Sequence, residues 1–139
     1  MSDKYLITKE KIINAEKGNI HHLIKQSSDG FAGFGEAYLS CVQKNLVKGW
    51  KKHQFMTLNL CVIFGCIRFV IYDESYENFD VILIDSQDNK RLTIKPDTWL
   101  AFQAVNKDSL ILNIADIPHD PNEHVNKPIE AFNFNWSIK

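Results

Sequence analysis

Short hydrophobic runs that alternate with polar residues dominate this chain, and turn residues separate one run from the next. β-Branched and aromatic side chains are frequent in these runs, as is typical of strands. An alternating FNFNW near the C-terminus predicts a further edge strand, whereas only 8–20 has a helical spacing, and that spacing is weak. The main runs lie at 35–40, 58–64, 67–72, 79–84, 91–94, 99–104 and 109–115.

About eight short strands at this spacing predict one all-β domain over 1–139, an antiparallel sandwich or barrel in which a jelly roll is the favoured topology. The interior of such a barrel is either filled with side chains or left open as a ligand pocket. No internal repeat or linker divides the sequence. After the last long strand, DIPHDPNEHVNKP contains three prolines and predicts an irregular arm.

One segment, LVKGWKKHQFMTLNL, places three lysines and His53 directly before an apolar strand. If that strand is continuous, Lys51, His53 and Asn59 share one face, because strand side chains alternate. We therefore expect a semi-polar face with a basic entrance, which suits a pocket. Asn113 is another polar residue within a buried-looking strand. Two alternatives stay open: both asparagines bond only to neighbouring backbone, or a bulge near Phe55 breaks the alternation.

Charge and composition exclude several classes of function. The 16 Lys+Arg and 17 Asp+Glu give a net charge of −1, so nucleic acid is a poor candidate partner. The polar N-terminus lacks a signal-peptide core, and the apolar run at 58–71 is interrupted and too short for a membrane span. A cytoplasmic location is expected, with no membrane partner. The three cysteines suit reduced thiols better than a disulfide framework.

The central sequence resembles a known family. GEAYLSCVQKNLVKGWKKHQFMTLNLCVIFGCIRFVIYDE, followed by RLTIKPDTWLAFQ and IPHDPNE, is similar to the dTDP-4-dehydrorhamnose 3,5-epimerase-like cupins over roughly 34–123. The order of elements, the turn at 48–50 and the hairpin at 65–73 carry the resemblance. It implies a cupin-type jelly roll with little helix, a homodimer, and a nucleotide-sugar substrate.

The same resemblance implies a metal-independent reaction. These enzymes epimerise a nucleotide-linked 4-keto-6-deoxy sugar at C3 and/or C5 by removing a proton next to the C4 ketone, in deoxysugar and surface-polysaccharide synthesis. A histidine after the turn is the base and a tyrosine is the acid. This chain departs from the pattern: Lys51 occupies the base position, Leu100 replaces a second histidine, and Asn113 and His119 occur where the tyrosine is expected.

The departures lead to a modified catalytic assignment. A histidine titrates near neutral pH and a lysine carries a positive charge there, so we expect His53 to be the base and Lys51 to stabilise the enolate. Two alternatives remain. Lys44, Lys48 and Lys51 bind a diphosphate, or they form a solvated turn. The alternative for the whole protein is a catalytically silent cupin that binds a sugar nucleotide or acts as a structural partner in the same pathway.

Further substrate-binding candidates are Trp50, which is placed to stack on a base or sugar, together with Asn59, Tyr72, Asn113 and His119. No cofactor is expected. A metal is not expected either, because His53 is the single imidazole near the turn and no Asp or Glu lies between it and Gly65. Related ketoisomerases carry paired histidines here, which weakens an assignment as a 3,4-ketoisomerase.

Overall fold

A computed structural model of the chain describes residues 3–138, and this part of the chain is built almost wholly from β-strands. Two 3₁₀ helices, Ser86–Asp88 and Ile129–Ala131, are its helical elements. The strands are Tyr5–Lys9 (β1), Ile12–Ile13 (β2), Ile20–His21 (β3), Glu36–Val42 (β4), Val47–His53 (β5), Leu58–Phe64 (β6), Cys66–Asp73 (β7), Asn78–Asp85 (β8), Lys90–Ile94 (β9), Trp99–Ala104 (β10), Ser109–Ala115 (β11) and His124–Asn126 (β12).

The strands form two five-stranded antiparallel sheets that face each other. The first sheet has the order β1-β9-β6-β11-β4 and the second has the order β12-β5-β10-β7-β8, while β2 and β3 pair as a separate small hairpin. Strands adjacent in sequence therefore often lie in different sheets, as in β5 and β6. This arrangement confirms the predicted all-β, cupin-type antiparallel jelly roll.

Side chains that alternate inward from both sheets form the main core. Phe69 and Ile71 on β7 meet Leu92 on β9 and Ile111 on β11, and all four are at most 2% exposed. Burial of such side chains contributes roughly 1.5–3 kcal/mol each, so this layer stabilises the closed roll. Some of these core side chains also line a cavity that His53 borders.

A second apolar cluster lies on the outer face of the second sheet. Trp50, which is fully buried, is its centre, and the C-terminal segment covers it with Phe132, Phe134 and Trp136. The predicted edge strand at FNFNW is therefore wrong. Its aromatic side chains pack on the face of the sheet, so its backbone does not extend an edge ladder.

Two other local predictions differ from the structure. Residues 8–20 contain the end of β1, the β2 strand and the first residue of β3, with no helix. The parity assumed across β5 and β6 fails because 54–57 carry the chain from the second sheet to the first. Leu58 and Leu60 consequently face the interior with His53, and Asn59 points outward.

Within residues 3–138, no helix has the length and apolar character needed to cross a bilayer.

Candidate active site

A cavity of about 220 Å³ lies between the two sheets, at the end of the roll formed by β5 and β4. The first sheet contributes Tyr38, Ser40, Leu58, Leu60, Ile94, Ile111 and Asn113, and the second contributes Lys48, Gly49, Lys51, His53, Leu100 and Phe102. Polar groups gather at one end and aliphatic groups line the rest, which is typical of a small-molecule site.

The imidazole of His53 is held by the carboxylate of Glu123 in the interior. Nδ1 of His53 forms a hydrogen bond with Oε1 of Glu123, and both residues are under 9% exposed. The other carboxylate oxygen accepts the backbone amides of Phe55 at 3.1 Å and Met56 at 3.2 Å. Since Nδ1 is engaged, Nε2 is the nitrogen left to act on a ligand in the cavity.

The surroundings of Glu123 favour its charged form. Burial by itself raises the pKa of this carboxyl, but the hydrogen bond with His53 and the two backbone amides outweigh burial, so the pKa lies below its usual value. Glu123 is therefore an anion at neutral pH. It fixes the orientation and tautomer of the His53 ring, as a carboxylate does beside a catalytic histidine.

Two more imidazoles lie beside this pair. The ring of His124 is 5.6 Å from that of His53 and 5.6 Å from that of His119, measured between ring centroids. Burial, followed by the charges of Lys51 and His53, lowers the pKa of His124. His53, Glu123 and His124 each place one possible metal-ligand atom within 4.8 Å of the others. The structure thus brings together more ligating groups than the sequence spacing indicated.

Two lysines supply positive charge to the wall of the cavity. Lys51 is half-buried and lies on β5 two residues before His53, so their side chains share the inner face. Lys48 is exposed at the cavity edge, where its ammonium donates to the Ser40 hydroxyl at 3.0 Å. Lys95 also borders the opening. Anionic groups of a ligand would therefore be attracted to this end.

Across the cavity, Tyr38 and Asn113 form a polar pair on the first sheet. Nδ2 of Asn113 donates to the Tyr38 hydroxyl at 2.9 Å. Oδ1 of Asn113 is buried and has no hydrogen-bond partner within the described residues, although Asn113 is only 1% exposed. A buried acceptor left unpaired is costly, and a ligand hydroxyl would satisfy it.

The sequence-derived candidates divide into two groups. Four of them line the cavity: His53, Lys51, Lys48 and Asn113. The other five do not: Lys44, Trp50, Asn59, Tyr72 and His119.

The positions of these five have physical reasons. Trp50 and Tyr72 belong to the outer aromatic cluster, since each follows or precedes an inward-facing neighbour, Lys51 on β5 and Ile71 on β7. Asn59 faces outward, where its Oδ1 accepts from the buried guanidinium of Arg91 at 2.5 Å. Lys44 lies beyond the sheet end, and its backbone amide bonds to Asp108 at 2.7 Å. His119 is exposed on the arm, so none of the five lines the cavity.

Sequence reasoning missed Tyr38 and Glu123. Tyr38 carries a usable signal, because it lies two residues before Ser40 in a strand and the two side chains therefore share the inner face. Glu123 lies in the proline-rich arm, which was predicted to be irregular. Only the pairing of β12 with β5, in which His124 opposes His53, brings Glu123 under the imidazole.

The family model described as FdtA: WxcM-like, C-terminal matches residues 3–135 of this chain. No curated protein matches it. A solved structure of a dTDP sugar isomerase from Desulfovibrio desulfuricans G20 is 32% identical, with a TM-score of 0.88, and the match covers 96% of this chain and 91% of that one.

Two more distant structures share the fold. The 3,4-ketoisomerase QdtA from Thermoanaerobacterium thermosaccharolyticum is 16% identical, with a TM-score of 0.80 and coverage of 91% of this chain and 90% of that one. The 3,5-epimerase RmlC from Legionella pneumophila is 15% identical, with a TM-score of 0.79 and coverage of 90% and 73%. At these identities the likeness is one of fold.

Proposed function

The chain belongs to the FdtA family of WxcM-like C-terminal proteins, and we propose that it isomerises a dTDP-linked 4-keto-6-deoxy sugar by moving a proton next to the ketone. The relative at 32% identity is described as a dTDP sugar isomerase, which supports the substrate class. The observation that carries the proposal is the buried His53–Glu123 pair, whose imidazole lines a cavity between the sheets.

The first step is enolisation. Nε2 of His53 removes the proton from C3, the C–H electrons form a C3–C4 double bond, and the carbonyl electrons move to the C4 oxygen. The Lys51 ammonium, on the same inner face, stabilises the oxygen as negative charge develops there. Glu123 stabilises the imidazolium that forms and keeps its ring in place.

Tyr38 is the partner acid. Its hydroxyl lies on the sheet opposite His53 and accepts a hydrogen bond from Asn113, so its own proton is free to be donated to a ligand. A sugar ring bound between the two sheets would have His53 toward one face and Tyr38 toward the other. Protonation by Tyr38 at C3 inverts that centre, and the same reasoning applies to C5. This supports 3- and/or 5-epimerisation as the outcome.

Ketone migration is the second candidate outcome. The electrons of the enolate C3–C4 double bond take up a proton at C4 in place of C3. The C3 hydroxyl becomes the new carbonyl as its proton is transferred to the C4 oxygen, which becomes a hydroxyl. This candidate is favoured by the description of the 32%-identical relative as an isomerase and by the 91% of its length that the match covers. Both outcomes share the same first step and the same base.

Lys48 and Lys95 are proposed to bind the diphosphate at the cavity edge, and the pathway is proposed to be deoxysugar synthesis for surface polysaccharides.

We also propose a homodimer that covers the outer face of the first sheet. Leu39 on the edge strand is 57% exposed, and Ile63 on β6 is 41% exposed. Sedimentation of the native chain and of Leu39→Glu tests the dimer, because a buried charge there would shift the variant toward monomer.

The activity is tested by incubating the protein with dTDP-4-keto-6-deoxyglucose in deuterated water and following the sugar protons by NMR. Deuterium at C3 or C5 with inversion indicates epimerisation, and deuterium at C4 with a new C3 ketone indicates isomerisation. His53→Asn should abolish both. Tight binding of the sugar nucleotide without exchange would instead support the catalytically silent cupin, which the lysine at position 51 favours. If the protein neither binds the sugar nucleotide nor exchanges its protons, the proposal is refuted.

A further inference from the structure

We propose that His53, Glu123 and His124 form a site for a divalent transition metal such as Zn²⁺, and that an ion bound there switches off the isomerase. The proposal that the metal binds depends only on the geometry of these three residues. The inhibitory part rests on the proposed function.

The ligand set is assembled by the pairing of two strands. His53 ends β5, His124 opposes it at the start of β12, and Glu123 immediately precedes His124. One nitrogen or oxygen of each lies within 4.8 Å of the others. Zn²⁺ holds nitrogen and oxygen ligands at about 2.0–2.2 Å, which spaces neighbouring ligand atoms by about 3.4 Å. Side-chain rotations that shift these atoms by about 1 Å, and that separate Nδ1 of His53 from Oε1 of Glu123, would therefore form the site.

A second observation points to a ligand here. Nδ1 of His124 is buried and has no hydrogen-bond partner within the described residues. A buried ring nitrogen without a partner is unfavourable, and a metal ion would satisfy it. His119 lies on the exposed arm with its ring 5.6 Å from that of His124, close enough to supply a fourth ligand after a small movement of the arm.

The donor types select the class of ion. Two or three imidazoles with one carboxylate suit Zn²⁺ and related transition metals, whereas Mg²⁺ and Ca²⁺ require mainly oxygen ligands. Lys51 pairs with Asn126 in the β5–β12 ladder, and its charge, which acts on His124, opposes a bound cation. The anionic Glu123 offsets that charge, and its Oε2 stays anchored by two backbone amides while Oε1 turns to the metal.

Inhibition follows from the tautomer of His53. In the metal-free pair, the Nδ1 proton of His53 is bonded to Glu123 and Nε2 carries the lone pair that removes the substrate proton. A metal on Nδ1 displaces that proton, and the neutral ring then carries its single proton on Nε2 as the other tautomer. The base nitrogen is blocked, and Glu123 no longer orients the ring.

The test is isothermal titration of Zn²⁺ into the full chain, with His124→Ala as the diagnostic variant and His22→Ala as the matched control. His22 is an exposed histidine away from the cavity. Both are made in a Cys41→Ser background, because Cys41 is an exposed thiol that would itself bind Zn²⁺. We expect one saturable site, weakened at least about tenfold by His124→Ala and unchanged by His22→Ala. Co²⁺ should give visible absorption bands of a nitrogen- and oxygen-ligated site.

Absence of saturable binding, or equal affinity in His124→Ala and the control, would overturn the site. If binding occurs, the exchange assay is repeated with Zn²⁺ and then with excess EDTA. We expect Zn²⁺ to stop exchange, EDTA to restore it, and His124→Ala to need at least about tenfold more Zn²⁺ for the same loss. Exchange that continues at saturating Zn²⁺ would overturn the switch. Because binding is measured without substrate, the site is decided even for a chain that shows no turnover.

Discussion

Asn113 donates its side-chain amide to the hydroxyl of Tyr38 across 2.9 Å, and the two residues are direct register partners on β11 and β4. Asn113 is buried in the sheet, whereas Tyr38 lies on its edge strand and is 42% exposed. The bond therefore holds an exposed edge side chain at a defined position on the wall opposite His53. In the proposed mechanism, this oriented phenol returns a proton to the sugar on the face opposite the one from which His53 removes it.

Tyr38→Phe is expected to separate those steps in the assay. Without the hydroxyl, product formation should fall about 10²–10⁴-fold, as for loss of a general acid. Exchange of the C3 proton should fall much less, because His53 still removes it. NMR in deuterated water measures both quantities in one sample. Tyr76→Phe is the matched control, since Tyr76 is 80% exposed. Equal loss of exchange and product would contradict the role of Tyr38 as the acid.

Lys51→Met is expected to reduce kcat about 10²–10³-fold with a smaller change in KM, because in the proposed mechanism the ammonium stabilises charge that develops on the C4 oxygen. Lys52→Met is its control. Lys52 is the next residue on β5 and faces outward, where it lies over the Trp99 ring and near Glu74. Steady-state kinetics of both variants provide the comparison. A kcat loss of similar size in Lys52→Met would indicate a general electrostatic effect in place of a specific one.

The lowered pKa of Glu123 indicates how the free energy of unfolding depends on pH. Its pKa is lowered in the folded state, so the unfolded state, with an ordinary value near 4.5, binds a proton first as the pH falls. The stabilisation from Glu123 is therefore present above about pH 4.5 and is lost as the pH falls toward the folded-state pKa. Urea unfolding of the native chain and Glu123→Gln at several pH values measures it.

We expect Glu123→Gln to lower the free energy of unfolding by about 1–3 kcal/mol at pH 7, and the difference from the native chain to shrink in acid. A difference that stays constant with pH would show that the loss comes from packing, with no contribution from the ionised carboxylate.

The sequence predicted the architecture well because alternation and turn residues are local signals. The strands from 58 to 115 emerge from such signals, and so does the antiparallel jelly roll. Lys51 and His53 were also assigned correctly to one face of the cavity, since both lie on the same strand and two residues apart. When two residues lie on the same strand, local periodicity is sufficient to predict whether their side chains share a face.

Contacts between segments that are distant in the sequence could not be predicted. The sequence separation of 70 positions between His53 and Glu123 carries no periodic signal. Asn59 was placed on the wrong face because the chain changes sheets between β5 and β6, and a run of apolar residues looks the same in either sheet. Trp50 was expected near a ligand, and the covering C-terminal segment that buries it could not be foreseen from alternation alone.

The three thiols are expected to differ in reactivity. Cys41 is exposed, whereas Cys61 is buried and burial is the main cause that raises its pKa to about 11. Burial, reinforced by Asp85 and Asp88, also raises the pKa of the half-buried Cys66. Because the thiolate is the reactive form, a disulfide reagent at pH 8 should titrate Cys41 quickly and Cys66 slowly. Cys61 should react only in denaturant. Rapid labelling of Cys61 in the native protein, detected by mass spectrometry, would contradict this order.

Phe132 is expected to stabilise β5 from its outer side. Its ring stacks on Tyr72 with centroids 4.1 Å apart and meets Trp50 edge-on at 5.1 Å, so it clamps the outward face of β5, whose inward face carries Lys51 and His53. Phe132→Ala removes these contacts, and because Phe132 is only half-buried, we expect the free energy of unfolding to fall by about 2 kcal/mol. The neighbouring Asn133 is exposed, so Asn133→Ala should change stability by less than about 0.5 kcal/mol. Chemical denaturation compares the two variants. Equal stability of the pair would mean that the C-terminal segment lies on the sheet without holding it.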